Sequence, residues 1–534
     1  MTELLSPRFS FRERESLLDR AKAEDWDVVI IGGGATGAAC VRDAALRGLR
    51  ACLLEAEDFA SGTSSGSTKL VHGGIRYLQN FEFKLVFEAI RERELLEKLY
   101  APLIKKLSFL FPTYRGRAPS KHLLRTGLLL YDSFSRFKER HRAYSSREAQ
   151  EKFPWLNPQD LSGVMQYSDS FTEDFRLVIE MIKSAQRLGA VCLSRARVSG
   201  LEAKTAKGYF QLRVDDSFSQ KSFKIGTKAV INCAGPFSDE VKAELRLPPR
   251  LHLTQGVHFV AERSKLPLNE AVVLPDPDLN RILFAIPWND ITYLGTTDTK
   301  IRDVKEAQAQ TEDLEYVLKI ANRYFLNKIE PSDIFQSWAA VRPLIRPEKE
   351  LSNSKISREH QIEESSKAFF HILGGKLTSH RLMAQEALDM VCNRLQRREK
   401  SSTLKVPLQA LEINPPSERD SEDEALFFRY GVFAHDVLSY DQDRQLGKER
   451  LLADRRTLTA EALYAIHHEM ALCPLDFLRR RSSLYYETGD LKAAKRLIQI
   501  FQEELQWSPT ESANALNRVQ RSYEWDQKAL KKVP

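Results

Sequence analysis

The sequence predicts a mixed α/β protein with an all-helical C-terminal region. Residues 27–31 form a candidate buried strand that leads through a glycine-rich turn into an Ala-rich helix, residues 35–47, and a second strand follows at 50–54. This order, with its short connections, is typical of the start of a parallel sheet. Alternating polar and apolar residues between 191 and 297 predict further strands. Beyond residue 423 the pattern is helical to the end of the chain.

The other elements follow from the same periodicities. Residues 1–25 favour a polar leader helix, and residues 81–144, rich in Leu, Lys and Arg, predict helical structure. A buried strand at 369–373 leads through two glycines into a helix over 378–397, and the Pro-, Ser- and acid-rich stretch 407–423 predicts a linker. The candidate strands of the alternating region are 191–198, 208–214, 223–232, 256–261, 281–287 and 291–297.

The composition excludes several classes of protein. The chain has 534 residues, of which 42% are hydrophobic and 29% charged, and this is typical of a soluble globular protein. No apolar run approaches the ~18 residues of a membrane-spanning helix, and the N-terminus lacks the apolar core of a secretory signal. The net charge of +7 predicts no nucleic-acid partner and suits an anionic substrate or an acidic lipid surface equally well.

The cysteines predict neither disulfides nor a metal site. The six cysteines contain no CxxC pair and no cluster with the spacing of metal ligands. We therefore expect reduced thiols in the core of a cytosolic protein, and no metal.

The glycine-rich turn predicts a dinucleotide site. Gly32, Gly34 and Gly37 form a GxGxxG between a strand and a helix, and Glu55 ends the second strand. Gly32 permits the tight turn, Gly34 lets backbone amides approach a pyrophosphate, and Gly37 lets the helix pack close to the sheet. The helix N-terminus then favours the phosphates, and the Glu55 carboxylate can accept a hydrogen bond from a ribose hydroxyl. The acidic residue disfavours NADP.

Two further glycine turns favour a flavin over NAD. An NAD-binding domain is usually contiguous, whereas here a strand ends in a small-residue turn at 230–236 and another turns into a helix at 373–378. A flavin nucleotide is long, so its site takes pieces from several parts of a chain. A helix N-terminus at Leu377 and Thr378 could stabilise negative charge near N1 of a reduced flavin. Either turn on its own would favour an ordinary packing turn over a cofactor site.

Several motifs resemble one family. Residues 63–78, Thr-Ser-Ser-Gly-Ser-Thr-Lys-Leu-Val-His-Gly-Gly-Ile-Arg-Tyr-Leu, closely resemble the signature of FAD-dependent glycerol-3-phosphate dehydrogenases. The helical tail is also similar to the C-terminal domain of that family, and the motifs follow the family's order. The other motifs that carry the resemblance are Ile286-Pro-Trp, Gly295-Thr-Thr-Asp298, Ala340-Val-Arg-Pro-Leu344, Ser357-Arg358 and Gly374-Gly-Lys-Leu-Thr378.

The resemblance implies a Rossmann-like FAD-binding domain of the D-amino-acid-oxidase (glutathione-reductase-2) type. That domain is expected to be discontinuous, over 26–80, 165–250 and 345–400, and interleaved with a β-sheet substrate domain over 81–164 and 251–344. A helical domain would occupy 407–534. The residues expected to bind FAD are Gly32, Gly34, Gly37, Glu55, Thr63, Ser64, Ser65, Lys69, Val198, Ala234, Gly235, Gly374, Gly375, Lys376, Leu377 and Thr378.

The substrate that the resemblance implies is sn-glycerol 3-phosphate, a small and nearly doubly charged polyol. Phosphate recognition needs several cations on rigid elements. The implied product is dihydroxyacetone phosphate, formed by hydride transfer from C2 to flavin N5. His72 is the candidate base for the C2 hydroxyl proton, although it could also be a structural histidine near the flavin, and Arg342 would polarise the oxygen. The expected substrate-binding residues are Arg76, Tyr77, Arg342, Arg358 and Lys376.

The resemblance also implies that ubiquinone or menaquinone accepts the electrons, on the inner face of the cytoplasmic membrane. Residues 103–114 and 121–137 combine Leu and Phe with basic residues, as an interfacial helix on an anionic membrane or an ordinary core-facing helix would. A homodimer is possible. The alternatives are an oxidase that reduces O2 to H2O2 with the same substrate, an amine or amino-acid oxidase, and a non-catalytic flavin sensor.

Overall fold

The structure, a computed structural model, describes residues 9–75, 82–202, 208–279, 281–347, 359–409 and 422–532. The strands in chain order are β1 (Trp26–Ile31), β2 (Ala51–Leu54), β3 (Leu70–Val71), β4 (Ile104–Tyr114), β5 (Arg142–Ser145), β6 (Leu161–Thr172), β7 (Val191–Leu193), β8 (Ala196–Glu202), β9 (Phe210–Asp216), β10 (Lys221–Asn232), β11 (Leu251–Glu262), β12 (Ala271–Asp276), β13 (Arg281–Trp288), β14 (Ile291–Gly295), β15 (Thr299–Lys300), β16 (Ile334–Ile345), β17 (His360–Ser366) and β18 (Phe369–Gly374). The helices are α1 (Arg14–Ala23), α2 (Ala35–Leu46), α3 (Thr63–Gly66), α4 (Phe83–Leu99), α5 (Lys121–Phe134), α6 (Ser146–Lys152), α7 (Asp174–Arg187), α8 (Ser238–Glu244), α9 (Thr311–Ala321), α10 (His380–Arg394), α11 (Glu422–Tyr430), α12 (Ala434–Asp443), α13 (Thr459–His468), α14 (Pro474–Arg480), α15 (Leu484–Thr488), α16 (Lys492–Leu505) and α17 (Pro509–Asp526).

The first sheet is built on parallel strands in the order β18-β10-β1-β2-β7. Strand β1 pairs in parallel with β2 and β10, and β10 pairs in parallel with β18. All six residues of β1 are buried, because a parallel strand covered on both faces reads as a continuous apolar run. Antiparallel β17 and the β8–β9 pair extend this sheet. Helix α2 packs against both α7 and α10.

The three glycine turns of the sequence lie at one edge of this sheet. They follow β1, β10 and β18, which are adjacent and parallel. The carboxyl ends of parallel strands meet at the same edge, where α/β sheets bind their ligands. Turns separated by about 340 residues of sequence are therefore brought together.

The second sheet is largely antiparallel and has the order β15-β11-β14-β13-β12-β4-β6-β3, with β16 paired to β11 and β5 to β6. Strand β16 runs beside β11 so that Arg342 is opposite Thr254. The strands of the two sheets alternate along the chain, as an interleaved arrangement predicts. The boundary predicted at residue 165 lies within β6, and the domain limits stay a prediction.

One predicted helix is wrong. Residues 103–114 do not form an amphipathic helix, because Ile104–Tyr114 is an 11-residue strand, β4, paired with β6 on one side and β12 on the other. Its last six residues are buried. Pro112 lies inside this run, and proline in a helix interior removes a hydrogen bond and clashes with the preceding turn. The prediction of one helical region over 81–144 therefore holds only for α4 and α5.

Eight strands of the described residues were absent from the sequence prediction. They are β3, β4, β5, β6, β12, β15, β16 and β17. The predicted strands are all present with shifted ends, and the run 191–198 is divided between β7 and β8. The predicted α/β fold with a helical C-terminal domain is confirmed.

The C-terminal helices α11–α17 are not a separate appendage. Phe477, Tyr485 and Phe501 belong to the same buried hydrophobic cluster as Val29 and Ile30 of the first sheet. All six cysteines are buried as free thiols. Within the described ranges, no helix is both long enough and apolar enough to cross a bilayer.

Candidate active site

The turn after β1 is closed by backbone packing. Gly32 has φ +106°, and a Cβ there would lie 2.6 Å from the carbonyl oxygen of Cys233, which follows β10. A Cβ on Gly34 would lie 2.9 Å from Ser64 Oγ. A side chain at either glycine is therefore excluded next to the N-terminus of α2, where backbone amides and the helix dipole favour an anionic group.

Two side chains bind the backbone around this turn. The Glu55 carboxylate accepts the Gly33 N–H at 2.6 Å and the Glu57 N–H at 2.8 Å. Burial raises the pKa of Glu55. Ser64 Oγ accepts the N–H of Ala35, the first residue of α2, at 2.9 Å. The short helix α3 is thus fastened to the dinucleotide turn, beside a carboxylate at the end of β2.

Helix α3 also contacts the second sheet. Thr63 Oγ1 donates to the carbonyl of Val341 on β16 at 2.6 Å, and Trp338 Nε1 donates to the Gly66 carbonyl at 3.1 Å. These bonds position α3 between the glycine turn of the first sheet and the neighbour of Arg342.

His72 is held through its backbone from two sides. The Thr378 hydroxyl accepts the His72 N–H at 3.1 Å and donates to the His72 carbonyl at 3.2 Å. The next amide, of Gly73, donates to Tyr131 Oη at 3.0 Å and to Asp169 Oδ1 at 3.2 Å. Thr378 follows the glycine turn after β18, so His72 lies next to the edge where the three glycine turns meet.

A cavity of about 130 Å³ opens beside His72. Its walls come from the segment around β3 and from strands of the second sheet. Aromatic and aliphatic side chains form part of the wall, including Phe109, Tyr167 and Phe284. The polar groups that line it include His72, Asp169, Arg281, Thr296, Asp298 and Arg342.

Arg342 is held mainly by uncharged oxygens. Its guanidinium donates to the carbonyls of Gln255 and Thr297 at 3.2 and 3.1 Å, and to Thr296 Oγ1 at 2.8 Å. Its contact with Asp298 Oδ1 is longer, 3.3 Å. These oxygens fix the plane of the guanidinium at the wall of the cavity.

Arg281 is a second guanidinium of the cavity that the sequence analysis missed. It begins β13, and its Nη2 donates to the carbonyl of Asp298 at 3.2 Å. A signal was present, because Arg281 opens the predicted strand that ends in the Ile286-Pro-Trp motif. The residues Thr296 and Asp298 belong to another quoted motif for which no role was predicted.

A neutral histidine, His258, contacts Thr68, which lines the cavity. His258 is stacked on Trp338 at 4.6 Å between ring centroids, and its Nε2 lies 3.0 Å from Thr68 Oγ1. Burial, and then the charges of Arg342 and Lys69, lower the pKa of His258 well below its usual value. The imidazole is therefore uncharged near neutral pH, in agreement with a structural role.

Residues 27–390 match the family model described as FAD dependent oxidoreductase, and residues 409–512 match the C-terminal domain of alpha-glycerophosphate oxidase. A protein of Bacillus subtilis named aerobic glycerol-3-phosphate dehydrogenase is 34% identical, with 94% of this chain and 96% of that protein covered. The chain belongs to the FAD-dependent glycerol-3-phosphate dehydrogenase family.

Other relatives agree with this membership. A Staphylococcus saprophyticus protein with the same name is 34% identical over 91% of this chain and 92% of its own length. The X-ray structure of the glycerol-3-phosphate dehydrogenase from Bacillus halodurans complexed with FAD has a TM-score of 0.81 and 27% identity, and covers 98% of this chain and 100% of that one. The predicted family is confirmed, the protein is an FAD-dependent oxidoreductase, and its cofactor is FAD.

The residues around the glycine turns fit this cofactor. The glycine turn at the N-terminus of α2 suits the pyrophosphate. Glu55 lies at the strand end where a ribose is expected. Gly374 and Gly375 have φ of +70° and +92° and lead into a short 3₁₀ helix at Leu377–Ser379, which Lys376 precedes. The turn after β1 and the turn after β18 would thus hold different parts of the long FAD molecule.

Three more of the residues predicted to bind the cofactor lie in the turn after β10 and on β8. The Ala234 N–H donates to Asn232 Oδ1 at 3.1 Å, and Gly235 begins a 3₁₀ helix after β10. Val198 lies on β8, which belongs to the antiparallel extension of the first sheet. Arg76, Tyr77 and Arg358 lie outside the described residues. Their assignment to the substrate stays a prediction.

Lys69 has surroundings that its motif did not predict. It is fully buried, and its Nζ donates to Asp174 Oδ1 at 2.7 Å and to the Ser65 carbonyl at 2.9 Å. The side chain is therefore engaged with protein groups, and it connects α3 to the N-terminus of α7.

Proposed function

We propose that the protein oxidises sn-glycerol 3-phosphate to dihydroxyacetone phosphate. The observation that supports this most is the cavity in which His72, Arg281 and Arg342 share one space, beside the edge of the first sheet where the cofactor turns meet. A small dianion with a secondary alcohol needs this combination of cations and a proton acceptor. The names of the relatives point to the same substrate.

Arg281 would bind the phosphate of the substrate, and Arg342, beside it, would contact the C2 oxygen. Arg281 and Arg342 both donate to oxygens around Asp298, so their relative position is set by one short stretch of backbone. Planar guanidinium groups match a phosphate with paired hydrogen bonds. Arg76, Arg358 and Lys376, which the motifs assign to the same site, would add further positive charge.

The chemistry divides between His72 and Arg342. FAD, when bound, supplies a two-electron acceptor at N5 for the hydrogen on C2. The imidazole of His72 takes the proton of the C2 hydroxyl, and the Arg342 guanidinium stabilises the negative charge that develops on that oxygen. Thr378 and Asp169 restrain the backbone of the His72–Gly73 pair, and this keeps the base aligned.

Anaerobic reduction of the purified flavoprotein tests the proposal. We expect sn-glycerol 3-phosphate to abolish the visible absorption band of oxidised flavin, and glycerol or an amino acid to leave it unchanged. Reduction by the amino acid alone would favour an amino-acid oxidase. Failure of all three compounds to reduce the flavin would leave a non-catalytic flavin protein.

The identity of the final electron acceptor distinguishes two candidate functions, a quinone-reducing dehydrogenase and an oxidase. A membrane quinone is the proposed acceptor, on the basis of the relatives named aerobic dehydrogenases. One observation favours an oxidase instead, namely the match of residues 409–512 to the C-terminal domain of alpha-glycerophosphate oxidase. Quinone reduction under argon with little peroxide in air would support the dehydrogenase. Peroxide equal to the substrate consumed, without quinone reduction, would support the oxidase.

A surface on α4 and α5 supports docking to an anionic membrane, here proposed as the inner face of the cytoplasmic membrane. Helix α5 buries Leu124 and Leu128 but leaves Leu123 64% exposed. Phe87 of α4 contacts Phe134 of α5, so the two helices share one surface. Its exposed apolar side chains are Phe83, Phe87, Leu123, Leu129 and Phe137, and Arg125 and Arg136 are exposed next to them. Exposed apolar groups flanked by cations suit an acidic lipid interface.

Sedimentation with vesicles tests this surface. We expect binding to phosphatidylglycerol vesicles, weaker binding to phosphatidylcholine vesicles, and a loss of roughly fivefold or more in the Leu123→Glu variant. Leu326→Glu is a matched control, because Leu326 is a leucine of similar exposure (54%) beyond α9. Equal loss in both variants, or no binding to either vesicle, would remove this surface from membrane docking.

A further inference from the structure

The C-terminal helical domain contacts the segment that carries the cofactor-binding residues. We call residues 57–69 the α3 segment, because they contain α3 and connect Glu55 to β3. Ser64 in this segment accepts the first amide of α2, and Thr63 is bonded to β16. Three groups of contacts hold the segment from its other side, and each of them includes a residue that follows residue 470.

The first contact is a fully buried ion pair. Arg481 donates to both oxygens of Asp58, at 2.9 and 3.0 Å, and Arg480 donates to Asp58 Oδ2 at 2.5 Å. Asp58 is 1% exposed and Arg481 is 0% exposed. Arg481 also donates twice to the carbonyl of Glu469, at 3.1 and 2.8 Å. The start of the α3 segment is thus bonded to the end of α14 through a buried guanidinium that makes four hydrogen bonds.

The second contact reaches the residue next to Ser64. Tyr486 Oη donates to the Ser65 carbonyl at 3.1 Å. The Tyr486 ring packs edge-on against Trp338 at 5.0 Å and lies 5.4 Å from Trp288. The phenol is fully buried, and these two aromatic neighbours restrict the position from which it bonds to the segment.

The third contact encloses Lys69 in an aromatic cage. Its Nζ lies 5.1, 4.9 and 5.0 Å from the ring centroids of Phe175, Trp288 and Tyr486. The same ammonium donates to the Ser65 carbonyl and to Asp174. The Ser65 carbonyl therefore takes two donors, and one wall of the cage is Tyr486 of the C-terminal domain.

We propose that the C-terminal helical domain sets the affinity of the protein for FAD, with Tyr486 and Arg481 as positioning residues that hold the α3 segment in its cofactor-binding shape. A binding segment that is already ordered does not have to lose conformational entropy when the ligand binds. Tyr486 restrains the peptide next to Ser64, and Arg481 restrains the residue where the segment leaves the sheet. The proposal depends on FAD as the cofactor and not on the identity of the substrate.

Tyr485 provides a matched control on the same helix. Tyr485 is as buried as Tyr486, and its Oη donates to Asp526 Oδ2 at 2.8 Å, on α17 and away from the α3 segment. Tyr485→Phe and Tyr486→Phe each remove one buried phenolic hydroxyl. Tyr485→Phe also loses the contact of Oη with Ser522 Oγ at 2.9 Å, so it removes at least as many hydrogen bonds as Tyr486→Phe, and a general destabilisation would increase FAD release in both variants.

The test is release of FAD from the purified holoenzyme on serial dilution, followed by the rise in FAD fluorescence, beside thermal unfolding of each variant. We expect the dissociation constant of FAD to rise roughly three- to tenfold in Tyr486→Phe, the loss typical of one hydrogen bond, and less than twofold in Tyr485→Phe. Equal dissociation constants in the two variants, with equal losses of stability, would reduce Tyr486 to a structural residue.

A second pair of variants tests the Arg481 anchor. Arg481→Lys keeps the charge beside Asp58 but loses the paired geometry, and we expect a rise in the FAD dissociation constant with a folded protein by circular dichroism. Arg14→Lys is the matched control, because Arg14 donates to both oxygens of the buried Asp216 on β9, at 3.0 and 2.7 Å, and not to the α3 segment. A change in FAD release that is the same for both variants, or absent from both, would overturn the proposal, whatever substrate the enzyme uses.

Discussion

Arginines occupy two regions of this molecule in opposite ways. At the interface with the C-terminal helices, Arg481 and Arg176 are each paired with buried carboxylates, of Asp58 and Glu469. In the cavity beside His72, Arg342 donates to two backbone carbonyls, a hydroxyl and, at 3.3 Å, the carboxylate of Asp298, and Arg281 donates to a carbonyl. The side chain of Arg481 is 0% exposed, whereas that of Arg342 is 18% exposed and lines the cavity. Complete burial among protein groups separates cations that stabilise the fold from cations that an anionic ligand can reach.

The sharpest test of the cavity side is His72→Asn. We expect turnover to fall by roughly 100- to 10,000-fold, because the variant lacks a proton acceptor for the substrate hydroxyl. FAD content should stay near that of the parent protein, since the contacts with Thr378 involve only the backbone of residue 72. Stopped-flow reduction of the flavin measures the step directly. Unchanged turnover would make His72 a structural residue.

Arg342→Ala tests whether a carbonyl-held guanidinium acts on the reacting oxygen. We expect kcat to fall by roughly 100- to 1,000-fold even at saturating substrate, as for loss of a group that stabilises developing charge. Steady-state kinetics over a wide substrate range measure kcat and KM separately. A rise in KM with the parent kcat would instead assign Arg342 to uniform binding of the phosphate.

Glu469→Gln tests the interface side of the comparison. Arg176 is fully buried against Glu469 and Glu180, so removing one carboxylate charge should lower the free energy of unfolding by about 1.5–3 kcal/mol. KM for the substrate should not change. Glu449→Gln is the control, because the Arg496–Glu449 pair is exposed and such pairs contribute about 0–1 kcal/mol. Urea unfolding measures both, and equal losses would contradict the distinction.

Arg281→Gln sharpens the comparison within the cavity. We expect KM for the substrate to rise roughly tenfold with little change in kcat, because Arg281 lies on β13 and is proposed to bind the phosphate and not the reacting oxygen. Arg263→Gln is a matched control, since Arg263 donates to Asn269 and the Asn289 carbonyl at the other end of the sheet. The same KM in both variants would exclude Arg281 from substrate binding.

The smallest effect is a pH dependence of stability at the interface. Burial opposes ionisation of Glu180, but Lys183 and Arg176 outweigh it and lower its pKa from 4.5 to about 2. The unfolded chain therefore takes up the proton first as the pH falls, so this contribution is complete above pH 4.5 and is lost towards pH 2. We expect urea midpoints that fall below pH 4.5, and a shallower fall in Glu180→Gln. Identical slopes in the two proteins would exclude Glu180.

The predicted site and the observed site differ in an instructive way. The motifs identified His72, Arg342 and the three glycine turns, because those residues lie in short stretches with a recognisable order. They did not identify Arg281 as a cavity residue, and they did not relate Lys69 to the aromatic cage. Both features depend on strands and helices that are distant in sequence.

The sequence by itself determined the local elements of this protein: the strand, glycine turn and helix at residues 26–46, the buried strand before Gly374, and the helical tail. These follow from periodicity and glycine chemistry within a few residues. Only the tertiary structure decided that Ile104–Tyr114 is a strand and that Arg481 holds Asp58 while Arg342 faces a cavity. Long-range pairing chooses the partner of each strand and of each charge, and local propensity carries no information about that choice.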